Sequence, residues 1–153
     1  MALDTKEIRS TLNGLIETCK DGEEGFRSAA GSVKSSDVRQ LFEKFSSQRA
    51  QFASELQTEV SRIGGDAETS GSVAGAAHRG WLNLKSAITG EKDSAVISEC
   101  ERGEDAAKEA YSKASAKDLP GDIQAIVQRH YREVVQAHNQ VRALEVKTSG
   151  GAA

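Results

Sequence analysis

Residues 64–90, GGDAETSGSVAGAAHRGWLNLKSAITG, lie between two pairs of strongly periodic segments. The stretch opens on two glycines and a run of small polar residues, too long for a tight turn between helices. From Ser72, which can cap, the residues Val73, Ala77, Trp81, Leu84 and Ile88 recur at helical spacing until Gly90 stops them. The stretch predicts a loop followed by a short amphipathic helix over 72–89, about 25 Å long at 1.5 Å per residue. A connection of that kind can carry a chain from one end of a helical bundle to the other.

The flanking segments supply the bundle. The chain has one proline, Pro120, so long uninterrupted helices are permitted elsewhere. Ile8, Leu12, Leu15, Cys19, Gly22, Phe26, Ala29 and Val33 follow a 4-3-4-3 spacing and predict a first helix over 4–31, opened by an Asp4-x-x-Glu7 cap. Val38, Phe42, Phe45, Phe52, Leu56, Val60 and Ile63 predict a second over 35–64. Ile97, Cys100, Glu104, Ala107, Tyr111 and Ala114 predict a third over 93–117. Ile123, Val127, His130, Val134, Ala137, Val141 and Leu144 predict a fourth over 120–146, with Pro120 in its first turn and 147–153 as a loose tail. The expected architecture is all-α, one domain over 1–146. Two hairpins joined by one long crossover is the connectivity of a ferritin-like four-helix bundle.

The totals exclude several classes of function. Twenty basic residues against 23 acidic ones are mixed along the chain, so no basic footprint for nucleic acid exists. No apolar run is long enough to span a bilayer, and the N-terminal MALDTKEIRS lacks the apolar core of a secretory signal. Cys19 and Cys100 form no C-x-x-C pair and read as reduced thiols on the inner helix faces. A cytoplasmic setting follows from these readings.

Some ionisable residues fall on or beside the apolar stripes. Glu104 sits on the third helix's stripe between Cys100 and Ala107, with Glu101 at its edge, whereas Glu99, Asp105 and Glu109 fall outside it. Arg49 interrupts the stripe of Phe42, Phe45, Phe52 and Leu56; His130 sits within that of the fourth helix; Glu133 and Glu23 border theirs. Hairpin register places Arg49, Glu104, His130 and Glu133 at one height near mid-bundle. Buried ionisable groups are costly unless paired or metal-bound. Two readings follow. In one, Arg49 forms a bidentate salt bridge to Glu104 or Glu133 and His130 completes a buried polar layer that fixes register. In the other, Glu23, Glu101, Glu104, His130 and Glu133 hold iron or manganese. Carboxylate di-iron bundles use two Glu-x-x-His motifs; this chain has none, and His130-x-x-Glu133 runs in the reverse order. The salt-bridged layer, with no cofactor, is the favoured reading.

Other candidates are weaker. His78 in the crossover resembles the phospho-accepting histidine of a phosphotransfer helix, but Gly80 and Lys85 stand at the wrong spacing for that motif. His78 and Arg79 are expected to cap or face solvent, and His138 to lie partly exposed at the edge of the fourth helix.

Five stretches, LNGLIETCKDGEEGF, QRAQFASELQ, GAAHRGWLNLKSAITG, ECERGED and AHNQVRAL, together resemble a proteobacterial family of four-helix-bundle proteins built on a domain of unknown function and grouped with the ferritin-like superfamily. The resemblance spans about residues 5–145. It implies the bundle with its crossover and a bacterial cytoplasmic setting, and it supplies no activity. Only Glu23, Glu104 and Glu133 map even loosely onto the superfamily's ligands. The expected role is a non-catalytic accessory or stress-related protein, self-association being the one partner relation in view; a metal-dependent oxidase or peroxide-handling protein is the alternative.

Overall fold

The computed structural model describes residues 3–68, 80, 81, 83–90 and 92–151, of which 148–151 are described by backbone alone. Its helices are α1 (Thr5–Ala30), α2 (Ser36–Arg62), α3 (Leu84–Thr89), α4 (Asp93–Ser115) and α5 (Gly121–Gly151). Asp4 caps α1 by accepting a hydrogen bond from the Glu7 amide, and Ser35 does the same for α2 from the Val38 amide. At the far end of α2, Gly64 takes a φ of +83°, and the Gly65 amide donates to the Val60 carbonyl, a left-handed stop that suits glycine.

Contacts at the helix ends establish the topology. The Asp93 carboxylate at the start of α4 accepts from the Lys34 and Ser35 amides at the start of α2, at 2.9 and 3.1 Å. At the opposite end Arg62 of α2 pairs with Asp122 of α5, and the Leu3 amide reaches the Asp118 carbonyl between α4 and α5. Helices α2 and α4 therefore run parallel, and the crossover must travel the length of the bundle. It starts beside Asn13, whose side chain bonds the Asp66 carbonyl and the Glu68 amide. It is next described at Gly80 and Trp81, and the Trp81 indole packs on Gly25 of α1 and Gly103 of α4 and stands edge-on to Phe26. From Asn13 to Gly25 along α1 is about 18 Å at 1.5 Å per residue. The fold is all-helical and ferritin-like, with no strand among the described residues.

Two elements differ from the periodicity reading. Within the expected 72–89 helix only Leu84–Thr89 is helical among the described residues, because the chain turns at Gly80, Trp81 and Asn83 to set the indole into the bundle; Ser72, Val73, Ala77, His78 and Arg79 lie outside the described residues. The expected tail from 147 begins as helix, since no proline or cap interrupts α5 before Gly151.

The apolar core falls into two clusters. One joins Leu12, Cys19, Phe52, Leu56, Tyr111 and Val134 with their neighbours; the other joins Phe26, Phe42, Phe45, Cys100, Val96 and Ala137 with theirs. The boundary runs between Cys19 and Phe26 on α1, Phe45 and Phe52 on α2, and Cys100 and Ala107 on α4. Gly22, Arg49 and Glu104 occupy it.

Candidate functional site

Arg49 and Glu104 are buried to 1% and 0% exposure and form a bidentate pair, Nη1 to Oε1 at 2.5 Å and Nη2 to Oε2 at 2.7 Å. Burial opposes the Arg49 charge, but Glu104 outweighs it and holds the guanidinium more firmly protonated than usual. Arg49 Nε also donates to Gln48 Oε1 at 3.2 Å. The guanidinium also lies 5.6 Å from the centre of the Phe26 ring. Gly22 makes room for it: a Cβ there would stand 3.3 Å from Arg49 Cγ and 3.4 Å from Nη1.

His130 is fully buried but sits one turn away from that pair, inside the first cluster. Its ring stacks on Phe52 with centroids 3.8 Å apart, and its Nδ1 is 3.0 Å from the Tyr111 hydroxyl. Tyr111 in turn is 3.1 Å from the Cys19 thiol. His130 Nε2 forms no hydrogen bond and faces Glu55 Oε1 at 3.5 Å. Burial lowers His130 to a pKa of about 4, against the attraction of Glu55, so the ring is neutral at pH 7. Burial would raise the Glu55 carboxyl, but hydrogen bonding to Arg129 and the charge of that guanidinium bring it below its ordinary range. Burial pushes the Cys19 thiol up to about 11, and Cys100 well above its ordinary value. Neither is an activated nucleophile.

The other expected ligands lie elsewhere. Glu133 is half-buried at the α5 flank, 3.9 Å from Arg129, because Val134 takes the inward position after His130. Glu23 turns along the surface of α1 to Lys20 and Arg27, and only its backbone carbonyl meets α2, accepting from Ser46. Glu101 lies on the α4–α5 seam. Its carboxyl is pushed above the usual range, first by a hydrogen bond with Glu145 and then by burial. The five residues Glu23, Glu101, Glu104, His130 and Glu133 are therefore not gathered into one ligand shell.

Two side chains expected to be solvent-facing are inside. His138 is 3% exposed, with Nε2 2.5 Å from Asp105 Oδ1. Glu99 is buried, 3.6 Å from the Arg102 Nε. Both lie at stripe edges, where the neighbouring helix decides exposure. A groove of about 620 Å³ between α1 and α4 is lined in part by Gly14, Thr18, Asp105, Ala106, Ala110 and Ala114.

The family model described as a domain of unknown function (DUF2383) matches residues 7–117, most of the chain. The chain belongs to the DUF2383 family. Among solved structures, this DUF2383 chain is similar to a Mycobacterium smegmatis Dps1 mutant, with 13% identity and a TM-score of 0.72 over 92% of this chain and 96% of that one. That likeness concerns the fold alone. No curated protein matches. No described helix of this DUF2383 chain is long and apolar enough to cross a membrane.

The bundle centre does not suit the di-iron group that a ferritin-like fold brings to mind. The carboxylate best placed there, Glu104, already has both oxygens engaged by Arg49, a permanent cation in the space a metal would need. The chain has no Glu-x-x-His.

Proposed function

We propose that this protein is a non-catalytic accessory bundle of a bacterial cytoplasm, active in a stress response, whose centre is held by an internal ion pair in place of a metal centre. The observation that supports this reading is the two-point contact between Arg49 and Glu104, fully removed from water. A guanidinium there repels a second cation and engages both oxygens of Glu104. The pair instead gives the helices one register, since sliding α2 against α4 by a turn would strand both charges. The buried thiols fit a reducing compartment. Self-association through the outer helix faces is the partner relation of this reading.

Anaerobic ferrous titration followed by oxygen tests it. Expected is no oxygen-dependent absorbance faster than in buffer, both in the native chain and in Glu104→Gln. Two irons per chain, with rapid oxidation that Glu104→Gln abolishes, would overturn the reading.

A further inference from the structure

The seam between α4 and α5 carries a second group of ionisable side chains, away from the Arg49 pair. Glu101 and Asp105 stand one turn apart on α4, and His138 approaches them from α5. One donor atom from each, two carboxylate oxygens and one imidazole nitrogen, lies within 4.8 Å of the other two. Glu145, two turns beyond His138 on α5, neighbours Glu101. Among the described residues no Lys or Arg forms an ion pair with Glu101, Asp105 or Glu145. Glu101 and Asp105 thus stand together beside one imidazole.

The histidine sets this group apart from an ordinary acidic patch. His138 is almost fully buried, so its ring is held by packing, and it points Nε2 at Asp105 with only 2.5 Å between the two atoms. Its other nitrogen faces Asn139 Oδ1 at 3.5 Å, the kind of outer contact that orients a ligating imidazole. Across the 2.5 Å to Asp105 an Nε2–H donates to the carboxylate, and a divalent cation can displace that proton once the two atoms move apart.

We propose that Glu101, Asp105 and His138 form a binding site for one first-row divalent cation, of the Mn²⁺, Fe²⁺ or Zn²⁺ class, on the α4–α5 seam. Donor atoms about 2.0–2.2 Å from an ion are at most about 4.4 Å apart, so the group needs to contract by only a few tenths of an ångström. One imidazole with carboxylates suits these ions, whereas Mg²⁺ and Ca²⁺ take oxygen ligands alone. Asp105 is 62% exposed, so water completes the coordination. The site differs in place and in ligands from the bundle centre, and it stands whether or not the reading of that centre does.

The test is calorimetric titration of the metal-free full chain with Zn²⁺ alone and with Mn²⁺ alone, alongside nitrogen-15 spectra of the histidine rings. Expected is saturation at one equivalent per chain, with at least tenfold weaker binding in Asp105→Asn and in His138→Gln, and unchanged binding in Glu133→Gln. In the native chain Zn²⁺ should shift His138 Nε2 and leave His130 unmoved, a readout that needs no variant to fold. Glu101→Gln, at a half-buried position, supplies a further variant should His138→Gln unfold. Absence of saturable binding, or one-equivalent binding that leaves the His138 resonances and the Asp105→Asn affinity unchanged, overturns the proposal.

Discussion

The Arg49 guanidinium lies edge to edge with the Glu104 carboxylate, joining α2 to α4 by two hydrogen bonds that no water reaches. Removing one partner leaves an uncompensated buried charge. Arg49→Met is expected to lower stability by roughly 3–5 kcal/mol in urea denaturation at neutral pH. Pairing it with Glu104→Leu removes the stranded carboxylate and should recover most of that loss. A single-variant change under about 1 kcal/mol would show that the pair is not held as described.

Acid should destabilise the protein partly through His130. In the folded chain its pKa is about 4, whereas the unfolded imidazole titrates near 6.5. Below pH 6.5 the unfolded chain takes up a proton that the folded chain refuses, so stability is full above that pH and falls until about pH 4. The loss is on the order of 2–3 kcal/mol. Denaturation midpoints from pH 7 to 4 should show about one proton's dependence more in the native chain than in His130→Gln. Equal slopes in the two would remove His130 as the cause.

Cys19 and Cys100 should resist thiol reagents in the native state. Both are fully buried and both are held as thiols by burial. A disulfide reagent is expected to find no reactive thiol per native chain and both after denaturation. Rapid labelling of Cys19 in the native chain would mean that the Tyr111 region opens.

Trp81 depends on two glycines. A Cβ at Gly103 would stand 2.2 Å from the indole, and one at Gly25 would stand 2.5 Å from it. Gly103→Ala should expel the ring, shift its fluorescence to longer wavelength and cost about 1–3 kcal/mol. As the chain has one tryptophan, the emission reports this position alone. An unchanged spectrum would show that the indole does not depend on this gap.

The four long helices were legible because apolar residues repeat at 3.6-residue spacing for many turns, and the stretch at 64–90 could only be a crossover. Arg49 and Glu104 were legible as intruders at the centres of their stripes. Edge positions were not: Glu99 and His138 have the same sequence signature as solvated residues, and both are buried by neighbours that the periodicity of their own helix does not reveal. The error with Glu133 has a different origin. Residues three and four apart both lie near a helix face, and Val134 took the inner place. His130 was read as level with Arg49, whereas stacking on Phe52 places it one turn along. Trp81 carried a legible signal, an aromatic residue next to Gly80, but its seat on Gly25 and Gly103 joins three segments far apart in sequence.

The charged boundary between the two apolar clusters has a consequence for how the chain tolerates change. A side chain enlarged or trimmed near Leu12 and Phe52 cannot be accommodated by neighbours sliding toward Phe26 and Phe42, because two ionised groups with fixed partners stand between. Each half of the interior must absorb its own volume changes. Substitutions in opposite halves should therefore combine as independent increments, while those within one half compensate or conflict. The molecule presents selection with two small packing problems rather than one large one, each free to drift while the other stays as it is.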